Sequence, residues 1–178
     1  MRIRNLILAA MFAALIYIAI TFFRVPNPVG GIIHFGDAFI FLAAVVLPFP
    51  YAMFAAGIGA GLSNALSGFI MWMPFTIIIK PLMTLCFTSK QTKIFVGPRN
   101  YIAPLFAGMI NLVLYYLATV FLIGFGFMGD GPTGVALWLT PMGGVLGDVI
   151  QFGGSAAIFF VLAKAIDRLD LKMRLLDT

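Results

Sequence analysis

Apolar stretches broken by glycine, proline and small groups of charge divide the chain into six segments, roughly 5–23, 37–47, 51–70, 74–88, 101–124 and 141–165. Such runs predict helices that cross a bilayer. The second and fourth segments are short for a hydrocarbon layer about 30 Å thick. Charge placement nevertheless requires both to span. Nine of the eleven Lys and Arg residues fall at the N-terminus (Arg2, Arg4), in one connection (Lys90, Lys93, Arg99) and at the C-terminus (Lys164, Arg168, Lys172, Arg174), leaving Arg24 and Lys80 elsewhere. The positive-inside rule puts those three regions on the cytoplasmic side, and four crossings then separate the first from the second. The expected fold is an all-α integral membrane protein, a single bundle of six transmembrane helices over residues 1–178 with both termini cytoplasmic. The apolar run after Arg2 and Arg4 continues to Phe23 and further spans follow, so an uncleaved first helix is expected rather than a secretory signal.

Local signals mark several helix ends. Thr140 before Pro141 reads as an N-cap with proline at the first helical position, and Pro74 opens the fourth helix in the same way. Asp37 is placed to cap the second helix. Pro81 cannot donate to the carbonyl of Ile77 and should kink the fourth helix beside Lys80.

Composition agrees with this class: 62% of residues are hydrophobic and 10% charged, against roughly half and a quarter in soluble domains. The mean hydropathy is +1.10. The net charge of +5 reflects topology and anionic lipid rather than nucleic acid. The single cysteine, Cys86, excludes an intrachain disulfide and reads as a small buried hydrophobe. Phosphate loops, zincin motifs, nucleophile elbows and spaced metal ligands are all missing from the sequence, so no catalytic activity and no metal are expected. There is no glutamate, which leaves a carboxylate proton or sodium relay with little support.

Candidate chemistry therefore lies in polar groups inside the bundle. Lys80 stands in an apolar run, where an ammonium is costly unless it meets a partner or a cavity. At 1.5 Å per residue, Lys80 and Asp148 both lie about 10 Å below the outer ends of their helices. Asn64 reaches a similar depth from the third helix, and Tyr115 and Asn111 lie somewhat deeper on the fifth. Asn111 and Tyr115, four apart, share a face, as do Asp148 and Gln151, three apart. Plain structural readings stay open: Lys80 could snorkel or form an ion pair with Asp148, and Asn64, Asn111 and Gln151 could be interhelical glue. His34 lies in an external loop, and Trp138 could supply a ring contact beside Tyr115. Alanine steps on the first helix (Ala9 with Ala13, Ala10 with Ala14) and the stripe Gly57, Gly61, Ala65, Gly68 on the third permit close helix approach.

The segment from Gly30 to Asp37, the Leu62 to Gly68 end of the third helix, the Thr76 to Lys80 run and the alanine steps together resemble the substrate-binding S components of energy-coupling factor (ECF) transporters. The likeness is to the riboflavin-type group, which includes proposed hydroxymethylpyrimidine and pyridoxine carriers. It implies a vitamin-binding subunit of an ABC-type uptake system in a bacterial cell membrane, not an enzyme. A transmembrane coupling subunit and two ATPase subunits would be its partners; they hydrolyse the ATP, so the chain needs no cofactor of its own. On the depth and spacing of the polar groups, the expected site has Lys80 and Asp148 as polar anchors, Asn64, Asn111 and Gln151 as hydrogen-bond partners and Tyr115 or Trp138 as ring contacts, with His34 in an external loop whose Val25, Val29, Ile32, His34 and Phe35 form the lid that the resemblance implies. The implied coupling face is Ala9, Ala10, Ala13 and Ala14. The alternative from another class is a self-contained small secondary transporter or channel.

Overall fold

The computed structural model describes residues 2–26, 32–129 and 131–173. Val29 of the expected lid, Gly30 and Gly31 of the segment that carries the resemblance, and Arg174 of the C-terminal basic group lie outside the described residues. The chain runs through α1 (Arg2–Phe22), an antiparallel ribbon of β1 (Arg24–Pro26) and β2 (Ile32–His34), α2 (Asp37–Val46) and α3 (Phe49–Leu66). A 3-10 turn at Ile70–Trp72 leads into α4 (Met73–Thr84), followed by α5 (Arg99–Gly124), a short α6 (Val135–Leu139) and α7 (Met142–Arg168). Three stretches, Ile3–Phe22, Arg99–Gly124 and Val135–Arg168, are long and apolar enough to cross a membrane. Many side chains facing outward are themselves apolar, including Leu6, Phe54, Ile58, Leu105 and Val161. Such a surface suits lipid rather than water.

α2 is the core. Its 10 residues give about 15 Å of helix, half a hydrocarbon layer, and nearly all of them are buried. Packed by α1, α3, α4 and α7, it is a short helix enclosed by longer ones. That explains an apolar run with no polar face.

The close approach of α1 and α3 depends on Gly59, where an added Cβ would come within 2.5 Å of the Ala13 carbonyl oxygen. Gly57 and Gly61 lie against Pro81 and Ile77 of α4. Thus α3 uses its small residues on two sides. On α1, Ala9 is buried and Ala13 faces α3, whereas Ala10 and Ala14 are exposed. Of the two alanine steps, only the second points outward.

Several boundaries depart from the pattern. The third segment stops at Leu66 rather than 70, and the fourth at Thr84 rather than 88, where the Arg99 guanidinium donates to the carbonyls of Leu85 and Cys86. Thr140 does not cap α7: its hydroxyl donates to the Ala136 carbonyl at 2.8 Å and closes α6. The ribbon and α6 were not legible, because three-residue strands and a five-residue helix are too short to set up a hydrophobic period.

The loop after α4 is tied to the end of α7. The Asp167 carboxylate accepts the amides of Ile94 and Phe95 at 2.7 and 3.0 Å. Lys172 Nζ donates to the carbonyls of Ser89 and Gln91 at 2.9 and 2.6 Å, and burial pushes this ammonium's pKa down. Two of the three basic regions therefore meet at one end of the molecule.

Candidate functional site

At the start of α2, Asp37 does not cap its helix: Gly36 occupies the cap position, with no side-chain cap bond. The Asp37 carboxylate turns inward instead. It accepts a hydrogen bond from Lys80 Nζ at 2.6 Å and one from Gln151 Nε2 at 2.9 Å. Lys80 is 2% exposed and also donates to Asn111 Oδ1 at 2.8 Å. The Tyr115 ring centroid lies 5.4 Å from Nζ, within range of a cation–π contact. Burial explains the count of partners: an ammonium removed from water needs a counter-ion and acceptors for its protons. The partner expected from depth alone, Asp148, is not the one that Lys80 bonds.

A second chain of bonds runs beside the first. Asn64 Nδ2 donates to Thr76 Oγ1 at 2.6 Å, and Thr76 Oγ1 meets the Tyr115 hydroxyl at 2.6 Å. Trp72, Thr76 and Lys80 follow at four-residue intervals, so the end of the 3-10 turn and α4 present one face. The Trp72 ring lies 6.0 Å from that of Tyr115.

Gln151 links this centre to the ribbon. While its Nε2 donates to Asp37, its Oε1 accepts the backbone amide of His34 at 3.2 Å. The His34 imidazole has Nδ1 without a hydrogen-bond partner among the described residues. Its pKa is lowered from 6.5 to about 4, chiefly by burial, so it is neutral near pH 7. Arg24, paired with His34 across the ribbon, lies 5.9 Å from the Phe69 ring centroid.

These groups enclose a cavity of about 260 Å³. Lys80, Asn64, Asn111, Tyr115, Asp148, Gln151 and His34 all line it. Trp138 does not: the residue is 53% exposed, and its carbonyl accepts a hydrogen bond from the Tyr116 hydroxyl. Trp72 and Phe69 supply aromatic surface instead. The sequence reading missed Asp37, Thr76 and Trp72. For the last two a signal existed in their spacing from Lys80; for Asp37 the capping position concealed a long-range partner. No group of residues suited to holding a metal occurs among the described residues.

The arrangement is one cation already neutralised by a carboxylate, a second carboxylate (Asp148) without a hydrogen bond among the described residues, and amide, hydroxyl and ring surfaces around them. Nothing here resembles a nucleophile and base pair. The site can hold a small polar molecule.

A search of curated proteins returns no match. The family of S components described as "ECF-type riboflavin transporter, S component" matches residues 1–168. S components of this kind are substrate-binding subunits that serve vitamin transport together with membrane and ATPase subunits. With that match over almost its full length, and with helices fit to cross a bilayer, the chain belongs to the ECF transporter S components and is a multi-pass membrane protein.

Proposed function

We propose that this S component captures a small hydroxylated single-ring heteroaromatic, such as pyridoxine or hydroxymethylpyrimidine, for uptake across a bacterial plasma membrane. The observation that carries the reading is the cavity over Lys80, walled by neutral hydrogen-bonding groups and by Asp148. Its volume of about 260 Å³ lies just below the usual range for small-molecule pockets, which suits one ring better than the three fused rings of a flavin. Because Lys80 is already paired with Asp37, the described lining offers no surplus cation. A phosphorylated vitamin would lack an anchor there, whereas ring hydroxyls, an amine or a ring nitrogen would find partners. In this reading Asp148 accepts from a ligand donor and Asn64, Asn111 and Gln151 orient the polar edge. The His34 imidazole, whose Nδ1 has no partner among the described residues, closes the site from the ribbon, while Tyr115 and Trp72 face the ring.

The remainder of the proposed arrangement is six crossings in one domain with both termini cytoplasmic. The outward α1 face at Ala10 and Ala14 seats the coupling subunit, and two ATPases power release of the vitamin.

Native mass spectrometry of the purified protein identifies a retained ligand, and calorimetry with that ligand tests the site. Asp148→Asn should weaken binding by about 1.5–3 kcal/mol, the range for a hydrogen bond to a charged group. The melting temperature should change little, since Asp148 makes no hydrogen bond among the described residues. A bound mass equal to riboflavin would overturn the ligand class. Wild-type affinity in folded Asp148→Asn would overturn the site, and a protein that retains no small molecule and no ATPase subunit would favour a self-contained channel.

A further inference from the structure

A second cavity, of about 420 Å³, opens where the start of α5 meets the end of α7. Its floor is aromatic. The rings of Phe95 and Tyr101 lie 4.6 Å apart, and Phe160 lies 5.8 Å from the first and 6.4 Å from the second. Its rim is cationic, from Lys93, Lys164 and Arg168. Lys164 and Arg168, one turn apart, share a face of α7. Neither has a carboxylate within salt-bridge distance among the described residues. Lys93 has only a long, solvent-exposed contact of 3.7 Å to Asp170. The acidic residue in the cleft, Asp167, has both carboxylate oxygens engaged by the amides of Ile94 and Phe95.

The cleft continues into apolar surface. On α5, Ile102, Leu105 and Met109 are about half exposed, and on α7 Val161 is 70% exposed one turn before Lys164. Both helices are apolar enough to cross a membrane. Cations and a tyrosine at their ends therefore stand at headgroup level, with hydrocarbon-facing side chains directly beyond. A basic pocket between membrane helices, open to the acyl layer, is built for a phosphate that carries hydrocarbon tails.

We propose that this cleft binds the headgroup of an anionic phospholipid: Lys164 and Arg168 contact the phosphate, Lys93 closes the rim, and the acyl chains lie along α5 and α7. Burial of the Phe95, Tyr101 and Phe160 rings beneath the lipid would tie the loop after α4 to both helices.

The test places the protein in bilayer discs containing phosphatidylglycerol and phosphatidylcholine in equal amounts. Native mass spectrometry after detergent release then counts the lipid retained. Wild type should retain phosphatidylglycerol in clear excess. Lys164→Gln with Arg168→Gln should reduce that excess by roughly 25-fold, about fivefold per charge. The exposed Lys90→Gln, which removes one charge outside the cleft as each single substitution does within it, should leave it unchanged. Each single substitution is measured alongside, so that a folding loss in the double variant does not decide the result. Equal retention of the two lipids by wild type overturns the proposal, as does a matching loss in Lys90→Gln. Thermal stabilisation by inorganic phosphate as large as that by short-chain phosphatidylglycerol would assign the cleft to a free anion and overturn the lipid reading.

Discussion

Lys80 shows how one buried charge organises its surroundings. Asp37, Asn111 and the Tyr115 ring satisfy it, and Gln151 satisfies the remaining oxygen of Asp37. Removing one member of such a pair strands the other. Lys80→Met should therefore lower stability by about 3–5 kcal/mol, and adding Asp37→Asn should recover part of that loss. Thermal unfolding of the two single variants and the double variant measures the coupling, expected at about 1 kcal/mol or more. Additive effects would mean that the two groups do not interact. This coupling is one of stability, which separates it from Asp148, whose substitution should act on ligand affinity.

At the scale of elements, helix contact is decided by which small residue faces which neighbour. α1 carries two alanine steps of identical spacing, yet Ala9 and Ala13 are turned to the bundle and Ala10 and Ala14 are turned out. The two steps should thus respond oppositely. Leucine at Ala10 and Ala14 should abolish uptake with the coupling subunit and leave vitamin affinity of the isolated protein intact. Leucine at Ala9 should overfill the α1–α3 contact and destabilise the fold by about 1–3 kcal/mol. Uptake assays in cells with calorimetry on the purified variants check both; transport that survives the Ala10 and Ala14 pair would remove that face from the coupling interface.

For the whole molecule, the tie between the loop after α4 and the end of α7 gathers Lys90, Lys93, Lys164, Arg168 and Lys172 at one end. By the positive-inside rule this end is expected on the cytoplasmic side. Cysteine placed at Lys93 should resist a membrane-impermeant thiol reagent in intact cells, whereas cysteine at Gly131 should react. The opposite pattern would invert the topology. In the expected topology the ribbon, with His34 bonded to Gln151, would stand on the external side over the cavity, as an uptake protein requires.

Much of this was legible in the chain itself. Apolar runs specify membrane helices because lipid leaves the backbone no partner but its own. A lone lysine in such a run marks a polar centre for the same energetic reason. Depth and spacing were enough to bring Lys80, Asn64, Asn111, Tyr115, Asp148 and Gln151 to one cavity. Pairing was not legible. Lys80 and Asp37 are 43 residues apart, and local rules read Asp37 only as a cap. Likewise Trp138 and Trp72 could each have supplied a ring. Only the packing of α4 against α5 put Trp72 beside Tyr115 and left Trp138 outside. Sequence periodicity fixes which residues share a face of their own helix; which faces meet depends on contacts distant along the chain, and only the tertiary structure decides those.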